Sequence, residues 1–291
     1  MEGVRRKDGM PSFRLARFTA AMLMLGTSCG GESPRGATPT TVTPMPTEET
    51  TLGPVPGEED EGRKVAFQAE DGTKLLGRLW GEGEVGVVLA HGFSELTGQD
   101  DWLPFSAVLA ARGYHVLTFN FRGFCSADGC SGRQMELGNN WLDVVAATRL
   151  LEGRGAKRIF LIGGSMGGIA VFRAAETALE GVEGIVSIST PQFPSQYYPD
   201  EPPENDVTQA RLQAIPMPKL FIAGDGDTQL TAAGVIRFAD EARSMADAAA
   251  GEVEILIVES LAHSHELVTT AEPPVVGESR EAILRLLVEH A

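Results

Sequence analysis

From Lys64 onward, short runs of apolar residues alternate with segments in which apolar residues recur every three or four positions. Val85 to Ala90, Ile159 to Ile162 and Leu220 to Ala223 are continuous apolar runs, as expected of strands buried on both faces of a parallel sheet. Strands that alternate with helices at this spacing are joined by right-handed crossovers. The sequence therefore predicts an α/β domain, with a mostly parallel sheet and helices on both faces.

The same pattern predicts the individual elements. Strands are expected at 64–70 and 73–80, joined at the tight-turn dipeptide Asp71-Gly72. Further strands are expected at 114–121, 185–188 and 254–258. Helices are expected to contain Phe105, to begin near Trp141 and Ile169, and to span 232–245 and 279–290.

One region interrupts this alternation. Residues 191–218 contain seven prolines, two tyrosines and four acidic residues, a composition that excludes a long helix. The segment is expected to form a small irregular insertion over one edge of the sheet rather than a large cap. Tyr197 and Tyr198 would either pack this insertion against the sheet or line a binding pocket.

A serine stands between paired glycines at the end of one predicted strand. The strand at 159–162 leads into Gly163-Gly164-Ser165-Met166-Gly167-Gly168, and a helix follows. This order is typical of a nucleophile elbow, a turn so sharp that only small residues fit two places before and after the serine. Gly163 and Gly167 occupy those two places. A glycine-rich turn with no catalytic role would have the same sequence, so other residues are needed to distinguish these two interpretations.

Two more segments show a family resemblance. Together with the elbow, VVLAHGF (87–93) and DDWLPFSAVLAARGYHVLTFNFRGF (100–124) resemble the α/β-hydrolase family, and the likeness extends from Lys64 nearly to the C-terminus. Asn120 departs from the family, in which aspartate is common at this place. The resemblance implies an oxyanion hole formed by the backbone N–H groups of Phe93 and Met166. His91 would then hold the loop.

The resemblance also implies an acid after a later strand. LFIAGDGDTQL (220–230) matches the family's strand followed by Gly-x-x-Asp, which selects Asp227 as the acid and leaves Asp225 as the alternative. Asp-x-Asp also occurs in calcium loops, but the remaining ligands of such a loop are missing from the sequence. Asp227 is therefore expected to orient the catalytic base.

The base is expected after the next strand. ESLAHSHEL (259–267) resembles the family's Ala-His followed by a small residue, which selects His263 and leaves His265 as the alternative. A zinc site at His-x-His would need further ligands around an open position, and none is placed for it. Neither a metal nor a cofactor is expected.

These residues imply a serine hydrolase that cleaves carboxylic esters through an acyl-enzyme. The small insertion is similar to that of small esterases and to that of dienelactone-hydrolase-like proteins. The dienelactone-hydrolase-like proteins carry cysteine at the position of Ser165. A peptidase or an acyltransferase would use the same residues, and these alternatives stay open. A catalytically silent binding module on the cell envelope is an alternative from a different class.

The first 29 residues differ from the rest. Basic residues precede an apolar stretch from Phe18 to Leu25, and small residues then lead to Cys29. This order resembles a bacterial lipoprotein signal, which implies cleavage after residue 28 and lipidation of Cys29; a plain secretory signal is the alternative. Residues 29–62, rich in Pro, Thr and Glu, are expected to form a disordered tether before a hydrolase domain at 63–291.

Cysteine content and charge agree with an exported protein. Cys125 and Cys130 remain once Cys29 is set aside, and in an oxidising compartment they are expected to form a disulfide. The formal charge of −16 leaves no basic surface for nucleic acid. The expected partner is a small ester or acyl substrate, with membrane contact only through the N-terminal lipid.

Overall fold

The computed structural model describes residues 61–93, 98–132, 134–177 and 180–291. The predicted signal peptide, Cys29 and the predicted tether up to residue 60 lie outside the described residues. Within these ranges, no helix combines the length and the hydropathy that a bilayer-spanning helix requires.

A central sheet of eight strands organises the described residues, in the order β1-β2-β4-β3-β7-β8-β9-β12. The strands of this sheet are β1 (Arg63–Gln68), β2 (Lys74–Trp80), β3 (Val85–Ala90), β4 (His115–Phe119), β7 (Arg158–Gly164), β8 (Val182–Ile188), β9 (Lys219–Gly224) and β12 (Val253–Val258). Only β2 runs against its neighbours, because it pairs antiparallel with both β1 and β4 while all other pairs are parallel. The predicted mostly parallel sheet is confirmed.

Helices cover both faces of this sheet, as the alternation predicts. The longer helices are α1 (Leu103–Ala110), α2 (Asn140–Gly153), α3 (Met166–Ala175), α6 (Phe238–Ala248) and α8 (Pro273–His290). One buried cluster joins a face of the sheet to α2, α3 and α6, and includes Phe172 and Phe221. A second cluster joins the other face to α1 and α8, and includes Phe105 and Leu286. Each helix therefore buries one apolar side against the sheet.

The helix predicted at 232–245 begins later than expected. Residues 228–237 instead form a small hairpin, with β10 (Thr228–Leu230) antiparallel to β11 (Val235–Arg237), and α6 follows directly. The N–H of Thr231 donates to the carbonyl of Gly234 at 2.7 Å, and Gly234 has a φ of +149°. Pairing between the strands thus overrides the helix preference of the two alanines in the turn. The last helix is also longer than predicted, because it begins at Pro273, where proline is tolerated in the first turn.

The proline-rich insertion contains short helices, α4 (Pro194–Tyr197) and α5 (Gln209–Ala214), with a single 3₁₀ turn between them. The hydroxyl of Tyr197 donates to Glu241 of α6 at 3.1 Å, and that of Tyr198 donates to Gln229 of β10 at 2.9 Å. Both rings also pack against the core. The two tyrosines therefore attach the insertion to the body of the domain.

A further small hairpin pairs β5 (Cys125–Ser126) with β6 (Gly129–Cys130), and Cys125 and Cys130 form the predicted disulfide. Asp128, at the turn of this hairpin, accepts two hydrogen bonds from Arg78 of β2, at 2.6 and 2.9 Å. The disulfide thus closes the hairpin covalently, and a buried ion pair attaches the hairpin to β2.

Candidate active site

Ser165 lies between β7 and α3 in a conformation that few non-glycine residues adopt. Its φ is +51° and its ψ is −117°, a strained combination that costs about 1–3 kcal/mol. The backbone is held on both sides, because the N–H of Ser165 donates to Ile188 at 2.8 Å and its carbonyl accepts from Gly168 at 3.0 Å. The turn has the geometry expected of a nucleophile elbow.

The two predicted elbow glycines are required by close backbone approach. A Cβ on Gly163 would overlap the carbonyl of Gly167, and a Cβ on Gly167 would overlap the carbonyl of Ala90 at the end of β3. A larger residue at Gly163 would therefore push the start of α3 away from β7, and one at Gly167 would push it away from the end of β3. Because Ser165 precedes the first turn of α3, it also lies at the positive end of the helix dipole.

Asp227 and His263 are brought together from the ends of two neighbouring strands, β9 and β12. The Nδ1 atom of His263 lies 2.9 Å from Oδ2 and 3.1 Å from Oδ1 of Asp227. The carboxylate is buried, whereas about a third of the imidazole surface is exposed. A carboxylate can only accept, so Nδ1 carries the proton and Nε2 keeps a free lone pair. This is the tautomer that a general base needs.

The alternative acid and base have other contacts. Asp225 is exposed, and its carboxylate accepts the N–H of Ser260 at 3.1 Å, which stabilises the turn. His265 contacts other groups, with Nδ1 3.7 Å from Asp101 and its ring edge-on to Trp102, 6.4 Å away between centroids. Burial lowers the pKa of His265, and the nearby Asp101 carboxylate opposes that shift.

Phe93 and Met166, the two predicted oxyanion donors, follow β3 and β7, which are adjacent and parallel. Met166 is the first residue of α3, so its N–H has no acceptor within the helix. Phe93 is about half exposed, and its ring meets Phe124 edge-on at 5.3 Å between centroids. Both residues therefore lie at the same edge of the sheet as Ser165.

His91 holds the loop that carries Phe93. Its Nε2 accepts the N–H of Phe121 at 3.0 Å, and its Nδ1 donates to the carbonyl of Gly92 at 2.6 Å. The ring is fully buried, and burial lowers the pKa of His91 to about 4. Neutral His91 therefore acts as a brace between the loops that follow β3 and β4, in agreement with the structural role assigned to it from the sequence.

Two contacts of His263 were not foreseen from the sequence. The ring of Phe238, the first residue of α6, lies 4.5 Å from the imidazole ring between centroids. The backbone N–H of His263 donates to Oε2 of Glu266 at 2.8 Å. A glutamate at this spacing is a capping signal only when serine or threonine stands three residues before it, so the sequence held no signal for the contact between Glu266 and His263. Phe238 gave no signal, because the sequence placed it inside a predicted helix.

The described residues contain one group of side chains close enough to share a metal ion, Glu252, Glu289 and His290. Glu252 directly precedes β12 and therefore lies at the opposite edge of the sheet from Asp227 and His263. The chemistry available at the candidate site is that of a nucleophile, a base and hydrogen-bond donors.

Comparison with known proteins adds an independent finding. The sequence profile of the alpha/beta hydrolase family matches residues 87–287. A triacylglycerol lipase from Pseudarthrobacter phenanthrenivorans is 33% identical over 118 residues, which cover 38% of this chain and 34% of the lipase. This chain thus spans about a third of the length of that relative.

Solved structures show the same fold. An esterase from Pyrococcus furiosus, Pf2001, has a TM-score of 0.62 at 20% identity, with 82% of this chain and 95% of the esterase covered. A monoacylglycerol lipase from Paleococcus ferrophilus has a TM-score of 0.57 at 18% identity, with 75% and 99% covered. At this identity the likeness establishes the architecture of the domain.

Proposed function

The chain belongs to the α/β-hydrolase family, and we propose that it is a carboxylesterase-like enzyme that uses Ser165, His263 and Asp227. The observation that carries the proposal is the contact of His263 Nδ1 with the buried Asp227, at the sheet edge where Ser165 occupies a strained turn. The lipase and esterases among the similar proteins favour ester substrates over amides.

The proposed first step is acylation of Ser165. His263 Nε2 takes the hydroxyl proton while Oγ attacks the ester carbonyl, and the tetrahedral intermediate carries its negative charge on the former carbonyl oxygen. The N–H groups of Phe93 and Met166 donate to that oxygen, and each such donor contributes about 3 kcal/mol to the transition state. The intermediate collapses when the ester C–O bond breaks and His263 returns the proton to the leaving alcohol.

The second step is hydrolysis of the acyl-enzyme. His263 removes a proton from water, the resulting hydroxide attacks the acyl carbon, and the proton returns to Ser165 Oγ as the carboxylic acid leaves. Asp227 stabilises the imidazolium that forms in each half of the cycle. All of these steps use groups of the protein and water.

Turnover of p-nitrophenyl esters of increasing chain length tests this proposal. We expect the Ser165→Ala variant to lose at least about 10³-fold in kcat. Ser189→Ala is a matched control, because Ser189 also has a positive φ, of 47°, and is buried. Amide substrates and acyl acceptors, assayed in parallel, separate a peptidase or an acyltransferase from an esterase. A folded wild-type protein without Ser165-dependent turnover would contradict the proposal and favour the binding module.

A further inference from the structure

Glu266 makes an unusual contact with the residue proposed as the base. Its side-chain Oε2 accepts the backbone N–H of His263 at 2.8 Å, and the N–H of Glu266 donates back to the carbonyl of His263 at 3.2 Å. These two bonds close the turn that leads into the short helix α7 (Glu266–Thr269), whose N-cap residue is His265. The carboxylate therefore determines where the backbone of His263 lies.

His263 and Glu266 flank a residue with a strained backbone. Ser264, directly after His263, has a φ of +57°, which is unfavourable for a residue with a Cβ. Such strain persists only where the surrounding contacts enforce it. The hydrogen bond from His263 to Glu266 closes the turn that contains Ser264, so its loss would allow the backbone next to His263 to relax.

The imidazole is constrained at other points by contacts with its ring. Asp227 holds Nδ1 at 2.9 Å, and Phe238 packs against the ring at 4.5 Å between centroids. Neither contact fixes the backbone from which the side chain extends. Because proton transfer requires the base within hydrogen-bond reach of the nucleophile, a small shift of that backbone would reduce the rate of the chemical step.

We propose that Glu266 is a positioning residue that holds His263 in its catalytic geometry through the backbone N–H. The proposal rests on the function assigned to His263 above. The contact predicts a specific kinetic signature: a loss in kcat with little change in KM, because Glu266 contacts the backbone of the base.

The chain offers a matched control for charge and location. Glu266 and Glu272 both line a cavity of about 420 Å³ beside the His263 loop, together with Leu261 and Pro273. Among the described residues, the Glu272 side chain makes no hydrogen bond to that loop. A change at Glu272 therefore alters the charge of the same cavity and leaves the His263 backbone contact in place.

The test compares Glu266→Ala, Glu266→Gln and Glu272→Gln in the full chain. We expect Glu266→Ala to lose roughly 10- to 100-fold in kcat with KM within about twofold. Glu266→Gln retains an acceptor oxygen, so it should keep at least half of the wild-type kcat. Glu272→Gln should match the wild type. Equal losses in Glu266→Ala and Glu266→Gln, or a wild-type kcat in Glu266→Ala, would overturn the proposal.

A second readout does not depend on activity. Amide hydrogen exchange at His263, followed by NMR, should become at least about tenfold faster in Glu266→Ala and stay slow in Glu266→Gln. Unchanged exchange in Glu266→Ala would overturn the proposal even if the protein showed no ester turnover. If the wild type does not turn over esters but the exchange rates follow this order, the assigned function fails and the positioning contact stands.

Discussion

The two edges of the central sheet are built differently. At the edge where the parallel strands end, Ser165, Ser189 and Ser264 follow β7, β8 and β12 with positive φ values of 51°, 47° and 57°. Among the described residues, these are the only non-glycine residues in that conformation. Strain of this kind costs about 1–3 kcal/mol for each residue. The strained residues lie at the edge that contains the candidate nucleophile and base.

The opposite edge, where the strands begin, contains a fully satisfied buried charge. Lys219, the first residue of β9, is buried, and its Nζ donates to three backbone carbonyls. These acceptors are Ile215 at 2.6 Å, Met217 at 2.8 Å and Ala250 at 2.9 Å. All three ammonium hydrogens are used, so this group holds the chain segments around the strand start together.

The strained residues and the candidate catalytic groups thus lie at the carboxyl edge of the sheet, whereas the satisfied Lys219 ammonium lies at the amino edge. Backbone strain at the carboxyl edge positions Ser165 and the His263 loop, and the sheet core between the edges enforces it. Substitutions of the proposed catalytic residues at the carboxyl edge should therefore change turnover with little effect on the free energy of unfolding. Substitutions at the amino edge should do the reverse.

The largest effect is expected for Asp227→Asn. The amide cannot select the Nδ1–H tautomer of His263 or stabilise its charged form, so kcat should fall by about 10³- to 10⁴-fold. Asp225→Asn provides the comparison, since the Asp225 carboxylate accepts the backbone N–H of Ser260, and it should change kcat less than about threefold. Steady-state kinetics measures both variants. A larger loss of kcat in Asp225→Asn than in Asp227→Asn would assign the role of the acid to Asp225 instead.

The Lys219→Met substitution tests the amino edge. Methionine has a similar shape but leaves three carbonyls without a donor, so the free energy of unfolding should fall by about 4 kcal/mol. Denaturant titration measures this loss, and kcat per folded molecule should stay within about twofold of the wild type. A variant that is as stable as the wild type would show that these hydrogen bonds contribute little.

Lowering the pH is expected to have a smaller effect on the free energy of unfolding, through the titration of His91. The pKa of His91 in the folded protein is about 4, because burial disfavours the charged ring, whereas the unfolded value is near 6.5. Between these two pH values the unfolded chain binds more protons, so the free energy of unfolding falls as the pH falls. The contribution of His91 to that loss is about 3 kcal/mol.

Denaturant titrations at pH 7, 5.5 and 4 measure this contribution when the wild type is compared with His91→Asn. Asparagine keeps one donor and one acceptor but does not titrate, so its stability should depend less steeply on pH over this range. Parallel pH curves for the two proteins would contradict the neutral, buried state of His91.

Much of the site could be predicted because its residues follow strand ends. Ser165, Asp227 and His263 come directly after apolar runs, and the carboxyl ends of parallel strands meet at one edge. The family resemblance then separated Asp227 from Asp225 and His263 from His265. In the structure, Asp227 contacts His263 Nδ1 at 2.9 Å, and the catalytic roles of both residues stay predictions.

The remaining features depend on contacts that a local pattern does not show. The hairpin at 228–237 contains Ala232 and Ala233, which favour a helix, but the neighbouring strands pair with each other instead. The ring of Phe238 meets His263 only because this hairpin sets where α6 begins. The contact of Glu266 with the backbone N–H of His263 carried no sequence signal either, because a capping pattern requires serine or threonine at the first position.

Labelling with a fluorophosphonate tests the central claim most directly, because this reagent reacts with a serine only when a base activates it. We predict that the wild-type protein gains one label, that peptide mass spectrometry maps it to Ser165, and that His263→Ala and Asp227→Asn label at least about 100-fold more slowly. A folded wild-type protein that stays unlabelled, or a label on another serine, would contradict the assignment of Ser165 as the activated nucleophile.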